Sequence, residues 1–391
     1  MLSRRSFLIS TSILTLGQLL SGCGDGQTAL RIFLLQGSIP PQLLTAFRQK
    51  LAQNAPVSFK VESQLKDLWK RLESWQQGSK DSQGLKNLVG QLPLINPNTS
   101  EKVDLVTLGD AWLAQAIQAE LIEPLPLEVI PTWSKLPSRW QGLVKRDSKG
   151  NLSPQGQIWG APYRWGTTLI AYDSHRFEKL GWTPKDWSDL WREELRDRIA
   201  LVDQPREVIG LTLKKLGYSY NTTDLSQVSS LTSELLALHK QVKYYSSDHY
   251  LQPLVVGDAW LSVGWSSDII PLVNSNRNIK AVVPASGTAL WSDVWVNPKV
   301  KQGETKLSEL TKQWLDFCWQ DQAVNQICLL TDGVSPMIYQ AKELPSEVKD
   351  NPLLFIDQRI MDKCDFIEPL PLKVKQEYET LWKTMRTSTN D

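Results

Sequence analysis

Apolar residues recur along this chain in two alternating rhythms. Leu30 to Leu35 is a short continuous apolar run, and Pro40-Pro41 then opens a stretch with Leu43, Leu44, Phe47 and Leu51 at helical spacing, proline standing in the first turn where a helix tolerates it. Val57, Phe59 and Val61 alternate as a strand does, Leu65, Leu68, Trp69 and Leu72 recur as on a helix, and Val103 to Leu108 is strand-like before a helical Ala111 to Leu121. The first third therefore reads β-α-β-α-β-α, interrupted by a Gly-, Ser-, Asn- and Pro-containing segment, 78 to 100, expected as a surface excursion. The alternation resumes with a strand at Ile199 to Val202 and helices at Arg206 to Leu216 and Leu225 to Lys240. Strand-like Val242 to Tyr245, Trp260 to Val263 and Ile279 to Val283 follow. This pattern predicts an α/β protein with a second α/β lobe. No period of 20 to 50 residues argues for a solenoid or propeller.

Composition narrows the reading. With 391 residues, 41% hydrophobic and 22% charged, the chain is an ordinary globular protein large enough for two or three cores. A net charge of +1 without basic runs gives no footprint for nucleic acid. The 17 tryptophans against 8 phenylalanines and 9 tyrosines invert the usual order and suggest a use for indole faces.

Residues 1–22 read as an address. Ser3-Arg4-Arg5-Ser6-Phe7-Leu8 looks like a twin-arginine export signal, the stretch from Phe7 to Leu20 is too short and interrupted to span a bilayer, and Leu20-Ser21-Gly22-Cys23 looks like the site at which a bacterial lipoprotein is cleaved and acylated on Cys23. Removing residues 1–22 leaves 41 basic and 42 acidic residues, so the lipid, not charge, would hold the chain at the membrane. The expected location is the periplasm, anchored through Cys23.

Three cysteines remain, Cys318, Cys328 and Cys364, with no C-x-x-C spacing. Buried small hydrophobes are the expectation, a disulfide the alternative. The motifs of nucleotide, P-loop, zinc-protease and serine-hydrolase chemistry are absent, so no catalytic residue, cofactor or metal is expected. Tyr244, Tyr245 and His249 could supply oxygen-rich ligands to ferric iron, or be a strand with aromatic residues on both faces.

What remains is tryptophan beside carboxylate. In the extended pattern Leu290 to Val296, Trp291 and Asp293 project from one face, which suits an organic ammonium: the ring attracts the cation and the acid accepts its N–H groups. Trp265-Ser266-Ser267-Asp268 and Asp110-Ala111-Trp112 repeat the composition. Glu207 opens a helix, where an acid can equally serve as a cap.

Trp159 to Asp173 (WGAPYRWGTTLIAYD), Asp203 to Asp224 (DQPREVIGLTLKKLGYSYNTTD), Leu290 to Pro298 (LWSDVWVNP) and Asp104 to Ile117 (DLVTLGDAWLAQAI) closely resemble the periplasmic spermidine/putrescine-binding proteins of ABC transporters. The resemblance runs from about residue 29 to 340. It implies a type II periplasmic-binding-protein fold: two discontinuous lobes joined by strands crossing near Gly166 to Thr168 and near Asp293, closing on ligand by a hinge. The implied division is signal 1–22, linker 23–28, lobe 1 at 29–167 and 293–338, and lobe 2 at 168–292 and 339–391. Trp265, Trp291, Asp293 and Glu207 fall on positions that sandwich and hold a polyamine. Gln204 departs from a second acid, Gln36 to Ser38 replace an aromatic-rich segment, and Ala111 replaces a tyrosine between Asp110 and Trp112. The expected ligand-binding residues are therefore Trp291, Asp293, Glu207, Trp265, Asp110, Trp112, Gln36 and Ser38.

The function expected is a monomeric, lipid-anchored solute-binding protein, not an enzyme, that delivers a polyamine-like cation to an ABC permease. The alternatives are a ferric-iron or other small-solute binder, an anchored periplasmic oxidoreductase, or a signalling receptor on the same scaffold.

Overall fold

The computed structural model describes residues 30–51, 55–86, 103–299 and 307–388. The leader, Cys23, and residues 87–100 of the expected excursion lie outside them; residues 78–86 continue the helix Leu65–Lys86. The strands are β1 (Leu30–Leu35), β2 (Val57–Glu62), β3 (Leu105–Gly109), β4 (Ile122–Glu123), β5 (Lys145–Arg146), β6 (Gln157–Ile158), β7 (Ala161–Asp173), β8 (Ile199–Leu201), β9 (Val242–Tyr245), β10 (Leu261–Trp265), β11 (Ile279–Val282), β12 (Ala289–Pro298) and β13 (Asp365–Phe366). The main sheet runs β2-β1-β3-β12-β7-β10-β8-β9. Its two outer groups are parallel, β1 with β2 and β3, and β8 with β9 and β10. They meet through antiparallel partners: β12 pairs with β3 and β7, and β7 with β10 and β11.

The long strand β7 is continuously buried from Ala161 to Ala171, as a strand covered on both faces should be. Pro162 cannot donate to a ladder, and the β7–β12 register shifts there, between Asp293 and Val294. Two apolar cores flank this strand. Phe33, Trp165, Trp295 and Trp314 belong to the first; Phe177, Trp187, Tyr220 and Tyr378 belong to the second. The segment from Val348 to Phe366 buries its apolar side chains in the first core, whereas the helix Leu372–Thr387 covers the second through Val374, Tyr378 and Met385. The expected piece 339–391 thus contributes to both clusters, and the first cluster also holds Leu254, Ile269 and Ile279 of the expected lobe 2. The reason is local: Phe366 packs edge-on against Trp140 at 5.0 Å, and Tyr339 donates to the Ile356 carbonyl, tying the segment to the first core.

Two expected helices are shorter than their patterns. Ala111 to Leu121 is a 3₁₀ turn at Asp110–Trp112 followed by a helix Leu113–Gln118, and Leu225 to Lys240 is a turn Leu225–Gln227 followed by a helix Leu231–Gln241. Eight of the 17 tryptophans (Trp133, Trp140, Trp159, Trp165, Trp187, Trp295, Trp314 and Trp319) are core residues, so much of the indole excess is packing. Cys318, Cys328 and Cys364 are free, buried thiols, with burial pushing each pKa up and Cys328 to about 12.

Gly264 in β10 shows how closely these layers meet. A Cβ there would lie 1.8 Å from Cε2 of Tyr250, a buried ring whose hydroxyl accepts from the Trp265 N–H and donates to Asp268. Gly264→Ala is expected to destabilise the chain by about 1–3 kcal/mol through overpacking, read as a lower denaturant midpoint with unchanged slope; an unaltered midpoint would mean that Tyr250 can move freely.

Candidate ligand-binding site

The regular register of β7 from Arg164 to Thr168 puts Arg164, Gly166 and Thr168 on one sheet face. The paired strands bring their side chains to that face in step: Asp293 stands opposite Arg164, Trp291 opposite Gly166, and Trp265 opposite Thr168. Gly166 makes this possible, since a Cβ there would lie 2.3 Å from Cζ2 of Trp291 and 2.2 Å from Oγ of Ser266. The half-buried Trp291 ring thus lies across bare backbone.

Glu207 is the clearest polar feature. It sits in the first turn of the helix Pro205–Lys215, yet no side chain caps that helix. Its carboxylate instead turns to the sheet, where Oε1 accepts from Trp265 Nε1 and Thr168 Oγ1, both at 3.1 Å, and Oε2 lies 3.0 Å from the same hydroxyl. Only 6% of the residue is exposed. Burial raises its pKa, against the hydrogen bonds from Trp265 and Thr168 and the charge of Arg206. The half-buried Trp265 is held in place by Tyr250, whose ring it meets edge-on at 5.9 Å.

Asp293 is not a free acid. Its Oδ2 accepts from Nε of Arg164 at 2.8 Å, and the two residues are 2% and 5% exposed. Nη1 of Arg164 donates to the carbonyls of Gly37 and Thr331, and the guanidinium lies 5.2 Å from the Trp291 ring centre. Asp293, expected to wait for a ligand's ammonium, is here paired with a cation that belongs to the chain. Burial raises the Asp293 carboxyl pKa and the adjacent guanidinium opposes that shift.

Asp110 lies at the end of β3, beside Gly109, which pairs with Asp293. It is buried and accepts from the backbone N–H of Ser292 at 2.8 Å. Desolvation raises its pKa to about 7, against that hydrogen bond and the charge of Arg146, and with help from Asp293. Trp112, half-buried, stands edge-on to Trp69 at 5.4 Å. Gln36 is exposed on the loop after β1, next to Gly37. Ser38 is fully buried, its hydroxyl donating to the Leu35 carbonyl and accepting from Tyr163, so it belongs to the packing beneath this loop.

The ferric-iron arrangement is not assembled. Tyr244 and Tyr245 are neighbours on β9 and point to opposite faces; the Tyr245 hydroxyl meets Nδ1 of His239 at 3.0 Å, and Arg386 covers its ring. Among the described residues no group of three His, Cys, Asp or Glu could hold a metal, and no helix is long and apolar enough to cross a membrane. Arg164 and Thr168 are the site residues that pattern reading missed. Their signal was a basic residue in a strand that carries no other charge before Asp173, in step with Gly166 and Thr168.

The model of the bacterial extracellular solute-binding proteins matches residues 100–364. The chain belongs to that family. A spermidine/putrescine-binding periplasmic protein of Salmonella typhimurium is 28% identical over 245 residues, covering 58% of this chain and 68% of the relative. A putrescine/cadaverine-binding protein of Pseudomonas aeruginosa is 26% identical over 245 residues, 59% of this chain and 67% of the relative. Among solved structures, a spermidine/putrescine ABC transporter substrate-binding protein from Streptococcus pneumoniae superposes with a TM-score of 0.73 at 22% identity, covering 91% of this chain and 98% of the other. A lipoprotein of Treponema pallidum gives 0.63 at 15% identity, with 92% and 99% covered. The fold of this solute-binding protein is thus the type II periplasmic-binding-protein fold, as the sequence suggested.

The Asp110 carboxyl gives this solute-binding protein a pH signature. Its folded pKa of about 7 stands above the ordinary 3.8, so the folded chain holds an extra proton between those values and stability falls as pH rises through that window. The contribution is about 4 kcal/mol at full ionisation. Asp110→Asn keeps an oxygen for the Ser292 N–H and should flatten the decline in melting temperature between pH 5 and 7.5 relative to the parent. Parallel profiles for the two proteins would mean that Asp110 titrates normally.

Proposed function

We propose that this chain is the periplasmic substrate-binding component of an ABC importer, held to the membrane through lipid on Cys23, and that it takes a small organic amine between its two halves. The observation that carries the ligand class is Glu207: a buried carboxylate, released from any capping duty, whose two oxygens face Thr168 and Trp265 beside a second half-buried indole, Trp291. An ammonium placed there gains a charge-assisted acceptor and aromatic faces together. The names of the relatives support the same class, since those proteins bind spermidine, putrescine or cadaverine. Trp265, Trp291, Asp110 and Trp112 are the further ligand-facing residues in this reading, with Gln36 at the rim.

The halves are the two lobes, and β7 and β12 are the segments through which they hinge. Ligand contacts from both halves would stabilise a closed state over an open one. Small-angle scattering is expected to show a smaller radius of gyration on saturation with the amine, whereas an identical profile would indicate a rigid site.

The direct test is calorimetric titration with putrescine, cadaverine, spermidine and single-ended amines of the same chain lengths. Heat and a thermal shift with at least one are expected, and silence from all of them removes the amine reading. Glu207→Gln should weaken binding about ten- to a hundred-fold, the worth of about 1.5–3 kcal/mol for a hydrogen bond to a charged group. Undiminished affinity in that variant would move the amine elsewhere.

A further inference from the structure

The site face has two unlike ends. Thr168, Glu207 and Trp265 form one, Arg164 and Asp293 the other, and the Trp291 ring over Gly166 lies between them. Along β7 the ends are four residues apart, roughly 13 Å of backbone.

Arg164 is built into its end. Nε is committed to Asp293 and Nη1 to the carbonyls of Gly37 and Thr331, while its stem lies where Gly333 leaves room: a Cβ on Gly333 would come within 2.8 Å of Cγ of Arg164. Held from three segments and 5% exposed, this guanidinium is a resident cation rather than a mobile side chain. It takes the place beside Trp291 and Asp293 that a ligand's second ammonium would need, and a second cation there would meet like charge in a desolvated setting. The pair leaves over one donor and one acceptor, because neither Nη2 of Arg164 nor Oδ1 of Asp293 has a hydrogen-bond partner among the described residues. A carboxylate arriving there would be repelled by that oxygen.

We infer that Arg164 sets the charge of the ligand: the amine binds through a single ammonium at Glu207, and its other end is an uncharged group that both donates and accepts hydrogen bonds, a hydroxyl or an amide. The inference rests on the amine reading of the site, and extends it from a class of cation to a pattern of charge.

A matched series separates the two. The protein is titrated with putrescine, 4-aminobutan-1-ol, N-acetylputrescine and 4-aminobutyrate, then with the five-carbon set. The alcohol or the acetamide is expected to bind at least ten-fold tighter than both the diamine and the amino acid. A diamine or amino acid that binds as well as the neutral-ended amines overturns the inference and leaves the amine reading standing; heat from none of them overturns both. Arg164→Ala should release Asp293 and shift the preference toward putrescine by ten-fold or more, while Arg164→Lys should retain the parent order. An unchanged order in a folded Arg164→Ala variant also overturns the inference, and the parent series decides the matter if that variant does not fold.

Discussion

The pairing of β7 with β12 on one side and β10 on the other is the constraint to which the rest of the molecule is fitted. One strand, buried from Ala161 to Ala171, gives Trp165, Leu169 and Ala171 to the first core and Ile170 to the second while staying hydrogen-bonded on both edges. Its pleat decides which side chains share the site face. A slip of one residue would send Arg164, Gly166 and Thr168 to the opposite side and replace them with Trp165 and Thr167. The bulge at Pro162 confines the irregularity to the end away from Thr168, so the stretch that carries chemistry keeps its period of two.

Charge is handled differently at the two ends of that stretch. Glu207 is stabilised by neutral donors, an indole N–H and a hydroxyl, and still carries the cost of burial in its raised pKa. Asp293 has a guanidinium, itself anchored by two carbonyls, and the pair is close to neutral as a unit. Breaking a buried pair of this kind leaves an uncompensated charge in a desolvated setting, which is far more costly than never having had the pair. At the two ends of that stretch one acid is thus held by neutral donors and the other by a cation.

Much of the architecture was legible from periodicity. The strands β1, β2, β3, β8, β9, β10 and β11 lie where apolar runs or alternation put them, because a half-buried strand writes its pleat into the sequence. Helix starts were less legible: Leu225–Gln227 and Asp110–Trp112 are single 3₁₀ turns, indistinguishable in composition from the helices that follow. Of the site, the pairing of Trp291 and Asp293 on one face could be read from their spacing, and Trp265 and Glu207 from resemblance. That Asp293 is already matched could not, since Arg164 lies 129 residues away in sequence and only the strand register brings the two together. The burial of Ser38 was illegible for a similar reason: nothing near it in sequence announces the Tyr163 hydroxyl that encloses it. Tryptophan abundance pointed to ligands, but an indole fills a wide core as readily as it faces an amine, and composition cannot separate the two uses.

The helix Leu372–Thr387 completes the second core from a distance. Tyr378 reaches the Thr222 carbonyl across 156 residues, and Arg386 reaches Asp203 across 183. Contacts of such sequence separation must close a large loop before they return any stabilisation. Val374, Tyr378 and Met385 of that helix share one apolar cluster with Phe177, Trp187 and Tyr220. A chain that ended before Leu372 would therefore lose part of that apolar cluster together with the tethers to Thr222 and Asp203.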